Sequence, residues 1–307
     1  MIVNGVTQEG SDAFVEPEDR IAVFDFDGTL YGERFPAYFD HCLLLQRVLY
    51  DEDYEPSDEL REYAQGMEEA MINRTKLPGS SANHIAEAFQ GFTVEEYRDY
   101  VRKVMELPVY GFEGMTYGEG FFKPMVSLVE YLSDNGFTVY ISSGSERHML
   151  RELVEGTLDQ WIPADQIIGS SYTLTAPNQG DTANRDYDLG VNEPVILAGT
   201  PATKNLKAGK VYGIIDEIGK TPILVFGNSS GDLSMGRYAV ENGGKAYMLL
   251  CDDTERDYGD VDVAEAFAQS CKEFGCETVS MKDEFTTIYE EDVVMAEETA
   301  EELDLAA

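Results

Sequence analysis

Four short apolar runs, each halted by a cluster of polar or acidic residues, restrict the folds open to this chain. The first spans residues 20–24 and runs into Asp25-Phe26-Asp27-Gly28-Thr29. The second, Phe137 to Ile141, ends at Ser142-Ser143-Gly144, and the third, Pro222 to Phe226, at Gly227-Asn228-Ser229-Ser230-Gly231-Asp232. The fourth, Gly244 to Leu250, ends at Cys251-Asp252-Asp253. Uninterrupted runs of this length read as strands buried on both faces, as in parallel sheets covered by helices. Helical periodicity between them supplies the crossovers that parallel strands need. Residues Pro124 to Asn135 place Met125, Val126, Leu128, Val129 and Leu132 on one helical face, with Pro at the start and Gly136 beyond the end. A second helix is predicted from Ser145 to Glu155, with Ser145 as N-cap and Gly156 as its stop. The predicted class is therefore α/β, a doubly wound and mostly parallel Rossmann-type sheet whose ligand crevice lies at the C-terminal strand ends.

The first and second runs are separated by residues 25–136, far more than one crossover requires. Four stretches there carry helical patterns: Phe35 to Tyr50, Ser57 to Ile72, Ser81 to Phe89 and Val94 to Leu107. The glycine-rich run Tyr110 to Gly120 closes the insertion and suits a hinge. A mostly helical cap over residues 34–118 is expected, with 1–33 and 119–307 forming the core. The acidic segment Glu290 to Ala307 reads as a peripheral helix with a frayed end.

Composition narrows the partners. With 59 acidic and 22 basic residues the formal charge is -37, and no stretch supplies the Lys/Arg footprint that nucleic acid demands. The surplus reads as a solvated acidic surface, with adaptation to high salt or a basic protein partner as alternatives. No apolar stretch approaches a membrane span, and the N-terminus lacks a signal peptide's pattern, so a cytoplasmic protein is expected. The four cysteines, Cys42, Cys251, Cys271 and Cys276, form no Cys-x-x-Cys pair and read as buried thiols.

The strand ends carry the chemistry. Asp25 and Asp27 flank the first turn, where a divalent cation would make two close carboxylates tolerable. Gly28 allows the sharp turn, and the amides after Asp25 can donate to phosphate oxygens. Ser143 and Gly144 offer a hydroxyl and an amide ahead of a helix, a natural place for an anion. Lys210 can neutralise a transferred phosphoryl group, in competition with Lys204, Lys207 and Lys220. The loop from Gly227 to Asp232 supplies oxygen donors of the kind Mg²⁺ prefers. His148 reads as a structural residue.

In this order, Asp25-x-Asp27-Gly28-Thr29, Ser143, Lys210 and Gly227-Asn228-x-x-Gly231-Asp232 resemble the four signature motifs of haloacid dehalogenase (HAD) superfamily phosphatases. The inserted helices, with Ile141-Ser-Ser-Gly-Ser145 and Leu150-Arg-Glu-Leu-Val154, are similar to the helical-cap branch of phosphoserine phosphatase-like hydrolases. The resemblance implies a magnesium-dependent phosphatase acting on small phosphate monoesters. Asp25 would attack phosphorus to form an aspartyl-phosphate, and Asp27 would serve as general acid and base. Thr29, Ser143, Gly144 and Lys210 would hold the phosphoryl oxygens. Asp25, the Asp27 carbonyl and Asn228 would bind Mg²⁺, with Asp232 directly or through water. Two departures qualify this. Many relatives have Asp where Asn228 stands, which implies weaker metal binding. The position where phosphoserine phosphatases carry an acidic residue for the amino group is Arg34, with Glu33 beside it. Tyr31, Phe35, Tyr38 and Phe39 would cage a quaternary ammonium such as phosphocholine, although their spacing also suits core packing. A phosphomutase and a non-catalytic ligand-binding protein on the same scaffold remain as alternatives.

Overall fold

The computed structural model describes residues 2–32, 38–73, 75–79 and 81–296. The strands, in chain order, are β1 Ile21–Phe24, β2 Phe112–Glu113, β3 Thr138–Glu146, β4 Ile167–Thr175, β5 Ile196–Thr203, β6 Leu224–Gly227, β7 Lys245–Leu250, β8 Glu277–Ser280 and β9 Val294–Met295. Among the described residues, seven of them form one sheet in the order β5-β4-β3-β1-β6-β7-β8. Every pairing in it is parallel except β4 with β5. The four apolar runs are thus β1, β3, β6 and β7, and the α/β class is as expected. β1 lies near the middle of the sheet, and its four residues are all buried because alternate side chains enter different layers. Ala22 and Phe24 join the layer shared with the helix Lys123–Asp134 and the insertion, and Phe24 stacks on Phe226 with centroids 4.3 Å apart. Ile21 and Val23 face the other layer with Val225, Met235, Ala246, Met248 and Cys271. Helices on both faces explain why these strands lack polar alternation.

Four helical stretches of the insertion are described: Phe39–Leu45 running on to Tyr50, then Asp58–Ile72, Ala82–Ala88 and Val94–Met105. Ser57 caps the second of these through Leu60 N, and Thr93 with Glu96 closes a capping box on the fourth. The helix start expected at Phe35, and the pair Glu33 and Arg34, lie outside the described residues. The insertion's buried side chains merge into the same apolar layer as the sheet.

Three sequence expectations change. β3 continues past Ser142-Ser143-Gly144 to Glu146, so Ser145 lies in the strand and is not the N-cap. The helix Arg147–Leu153 is capped instead by Glu146, whose carboxylate accepts from His148 N and Met149 N. Residues 290–296 are not helical: β9 pairs with β2 inside the glycine-rich run that was expected to act as a hinge. Tyr258 Oη and Ala296 N both donate to the Gly111 carbonyl, which ties that run further to the core. The rest of the expected C-terminal helix, residues 297–307, falls outside the described residues. The hairpin β4–β5 is new. Its outer strand meets the insertion through Gly91 N to Leu197 O at 2.9 Å and Leu197 N to Phe92 O at 2.8 Å.

Candidate active site

The polar side chains converge where β1, β3 and β6 end. Asp25 N donates to the Phe226 carbonyl, which holds the first residue beyond β1 against its neighbour strand. The chain then turns tightly, with Thr29 N and Leu30 N donating to the Phe26 carbonyl and Gly28 at φ 73°, a conformation costly for any residue with a Cβ. That turn brings Asp25 and Asp27 into one cavity despite their spacing of two. The cavity holds about 250 Å³, and among the described residues its floor includes Asp25, Asp27, Gly144, Ser145, Lys204, Lys210 and Ser229.

Lys210 is the cation at its centre. Its ammonium, 1% exposed, pairs with Asp25 Oδ1 and lies 2.6 Å from Asp232 Oδ1. The other Asp232 oxygen accepts from Asn228 N, Ser229 N and Ser229 Oγ at 3.0–3.1 Å, so this carboxylate ties the β6 loop to the lysine. Lys210 projects from the short helix Ala208–Gly213, which follows Lys207 in a left-handed conformation at φ 55°. Such a conformation is uncommon for a residue with a side chain, and Lys207 N secures it by donating to the Gly231 carbonyl. Of the competing lysines, Lys204 donates to the Gly144 carbonyl at 2.7 Å on the cavity wall, and Lys220 pairs with Asp19 away from the site.

Electrostatics match this packing. Burial pushes the Asp25 carboxyl well above the ordinary carboxylate range, Asp232 and Asp27 push the same way, and Lys210 opposes them. An excess of carboxylate over ammonium among buried side chains, with oxygen donors from Asp25, Asp27 and Asn228, is a setting that suits a small hard cation. Among the described residues no three His, Cys, Asp or Glu side chains form a ready metal cage. Mg²⁺ fits such a site because it binds through one or two carboxylates and keeps water and substrate phosphate as its remaining ligands.

The other expected residues divide. Ser143 is fully buried; its hydroxyl accepts from Ser145 N and stands 3.4 Å from Asp27 Oδ2. Ser145 donates to the same oxygen at 2.5 Å and lines the cavity, which Ser143 does not. Gly144 does line it. Thr29, also fully buried, points its hydroxyl to Asn228 Oδ1 at 3.5 Å and is absent from the cavity wall. Sequence reasoning missed Ser145, which it assigned to a helix start. It also missed Asn205, whose amide donates to Ser142 Oγ and the Ser143 carbonyl and so fixes the β3 end. On the insertion side it missed Asp40, His41 and Ser81. Tyr31 and Phe39 are buried in the core, whereas Tyr38 lines the cavity. His148 sits half-buried beside Arg151, Arg147 and Arg98, and burial with those charges lowers its imidazole to about 4.

A mostly parallel sheet with helices on both faces and a carboxylate-rich crevice at its strand ends defines a doubly wound α/β scaffold with a long insertion after β1. The chain belongs to the haloacid dehalogenase-like hydrolase family, whose model matches residues 22–237. No curated protein matches it. Among solved structures it is similar to a conserved functionally unknown protein from Anaerococcus prevotii DSM 20548, at 13% identity and a TM-score of 0.54, covering 91% of this chain and 89% of that one. A protein of unknown function from Bordetella pertussis Tohama I matches at 13% identity and 0.53, covering 85% and 97%. A cytosolic 5'-nucleotidase IIIB bound to cytidine follows at 13% and 0.49, covering 91% and 83%.

Proposed function

We propose that this hydrolase is a magnesium-dependent phosphatase of small phosphate monoesters, with Asp25 as nucleophile and Asp27 as general acid and base. The observation that carries this reading is the pairing of one buried ammonium, Lys210, with both Asp25 and Asp232 beside Asp27 in a single cavity. Asp25 attacks phosphorus in line; the P–O bond to the alcohol breaks, and Asp27 gives that oxygen its proton. Water, deprotonated by Asp27, then attacks the aspartyl-phosphate, releasing inorganic phosphate and restoring Asp25. Ser145 orients Asp27 through its 2.5 Å hydrogen bond. Lys210, the Gly144 amide and Ser229 surround the space for the phosphoryl oxygens. Asp25, the Asp27 carbonyl and Asn228 would hold Mg²⁺, which supplies positive charge to the transferring group. In this reading residues 34–118 act as the cap that shields the reaction from bulk water. Turnover of p-nitrophenyl phosphate tests it. Wild type is expected to be active only with Mg²⁺, and Asp25→Asn to lose turnover by at least about 10³-fold. Equal inactivity of both proteins, with a ligand still bound, would favour a binding protein on this scaffold instead.

A further inference from the structure

β3 pairs with β4 at Ser142↔Ile168 and next at Glu146↔Ser170, with the register shifted between. Ser143, Gly144 and Ser145 therefore stand opposite Gly169 alone, and the regular ladder does not fix them. A bulge of this kind re-aims the chain, and its buried peptide groups need other partners. The segment following β5 supplies them. Asn205 is 6% exposed, and its Nδ2 donates to the Ser143 carbonyl at 3.0 Å and to Ser142 Oγ at 3.1 Å. Its main-chain N donates to Ser170 Oγ at 3.1 Å, and that hydroxyl donates to the Gly144 carbonyl at 2.6 Å, which also accepts from Lys204 Nζ. On its other side Asn205 meets Gly213, where an added Cβ would lie 3.1 Å from Asn205 Oδ1. Gly213 ends the helix Ala208–Gly213 that carries Lys210. One buried amide thus joins the end of β3 to the helix of the catalytic lysine.

Resting on the phosphatase reading, we infer that Asn205 is a positioning residue for phosphoryl transfer: it aims the Gly144 N–H at the phosphoryl oxygens and sets that donor relative to Lys210. The peptide plane carries the argument. A carbonyl only accepts, so the NH₂ end of the Asn205 amide is the end that Ser143 requires. In a planar trans peptide the N–H points away from the C=O. The Ser143 carbonyl is drawn toward Asn205, which stands behind the cavity wall, so the Gly144 N–H of the same peptide is turned to the opposite side. Gly144 lines the cavity there, with Lys210 and Asp25. The next carbonyl, that of Gly144, is held by Ser170 and Lys204, so the peptide cannot flip without breaking bonds on both sides of Gly144. A donor fixed in this way before charge develops stabilises the transition state without reorganisation. Asn205 itself touches no substrate atom; it acts through Gly144.

Two measurements on the full chain with Mg²⁺ test this, with orthovanadate as a mimic of the phosphoryl group in transfer. Amide NMR spectra of the wild type should show the Gly144 resonance moving when vanadate is added. Asn205→Leu keeps the approximate size of the side chain and removes its donors. In this variant the vanadate Ki, measured against p-nitrophenyl phosphate, should rise by about tenfold or more and kcat fall by about 10–100-fold. The Mg²⁺ concentration that gives half the maximal rate should stay within about twofold of wild type. Ki is a property of the folded molecules and does not depend on how much of the variant folds; the wild-type spectrum needs no variant at all. A vanadate Ki in Asn205→Leu equal to that of wild type, or a wild-type Gly144 resonance that vanadate leaves in place, overturns the inference and leaves the phosphatase reading standing. Equal rises in Ki and in the Mg²⁺ requirement would mark a general loosening of the site and overturn it as well. Wild-type turnover of p-nitrophenyl phosphate no greater than that of Asp25→Asn overturns the phosphatase reading, and this inference with it.

Discussion

At Glu146 two demands compete. Its Oε2 caps a helix by accepting from His148 N and Met149 N at 2.8 and 2.9 Å, which favours a carboxylate, while Oε1 is buried without a partner. Burial prevails and raises the carboxyl from 4.5 to about 7. Between those values the folded chain holds a proton that the unfolded chain has released, so stability falls as pH rises through this window and the cost is complete above pH 7. Glu146→Gln keeps an acceptor for the cap and cannot ionise. It should be more stable than wild type at pH 8, by on the order of 1–3 kcal/mol, with the difference gone near pH 4.5. Urea midpoints at the two pH values decide; an offset independent of pH would show that the charge is not the cause. One residue earlier, Ser145→Ala removes the short hydrogen bond to Asp27 and should lower kcat for p-nitrophenyl phosphate by roughly 10–100-fold, since bonds to charged groups contribute about 1.5–3 kcal/mol. An unchanged kcat would remove Ser145 from the site. Asp25, Asp27 and Asn228 were legible as candidates because they stand at the ends of apolar runs, and Lys210, on a helix, only through the order of motifs that carries the resemblance. Ser145 was not, because a serine after Ser-Ser-Gly looks locally like a helix cap, and only the register of β3 against β4 keeps it in the strand.

Among the elements, the insertion is fastened to the core by charge as well as by main-chain bonds. Arg98 and Arg102, on the helix Val94–Met105, both pair with Glu152 on the core helix Arg147–Leu153. Glu152 is fully buried, whereas the arginine side chains are 36% and 39% exposed. The two sides should therefore respond unequally to substitution. Glu152→Gln removes the buried charge and lets both arginines turn to water, for about 1–2 kcal/mol after allowing for their solvent screening. Arg98→Ala with Arg102→Ala leaves a carboxylate buried and unpaired, and should cost more. Guanidinium or urea denaturation of the two variants measures the order, and a larger loss in Glu152→Gln would reverse the argument. The hairpin that receives the insertion was not legible in the sequence. β5 reads Ile-Leu-Ala-Gly-Thr-Pro-Ala-Thr, with Gly199 and Pro201 inside it, a composition that suits only an edge strand. Gly199, at φ 80°, lies where a Cβ would come within 2.9 Å of Gln90, a long-range contact that no local pattern announces. The helices of the insertion, by contrast, were legible because caps such as Ser57 and Thr93 are local signals.

Over the whole molecule the charge of -37 acts at distances that no single pair controls. Repulsion among exposed carboxylates destabilises the compact state, and it is screened within about 10 Å at 0.1 M salt and about 3 Å at 1 M. Salt also weakens the favourable ion pairs, but Lys210 with Asp25 and Asp232, and Glu152 with its arginines, have buried partners and are screened less. The net effect of raising NaCl from 0.05 to 0.5 M should thus be a higher melting temperature, by about 1.5–3 °C for a gain of about 1–2 kcal/mol in a chain of 307 residues. The same field repels an incoming phosphate ester before the cavity's own cations can attract it. KM for p-nitrophenyl phosphate, at fixed saturating Mg²⁺, should therefore fall over this salt range while kcat changes little, because bound substrate is already inside the screened region. Thermal melts and initial rates along one salt series separate the two effects. A KM that rises with salt would mean that the local field of Lys204 and Lys210, with the added Mg²⁺ where it binds, extends beyond the cavity and dominates approach, and that the acidic surface is electrostatically remote from the site.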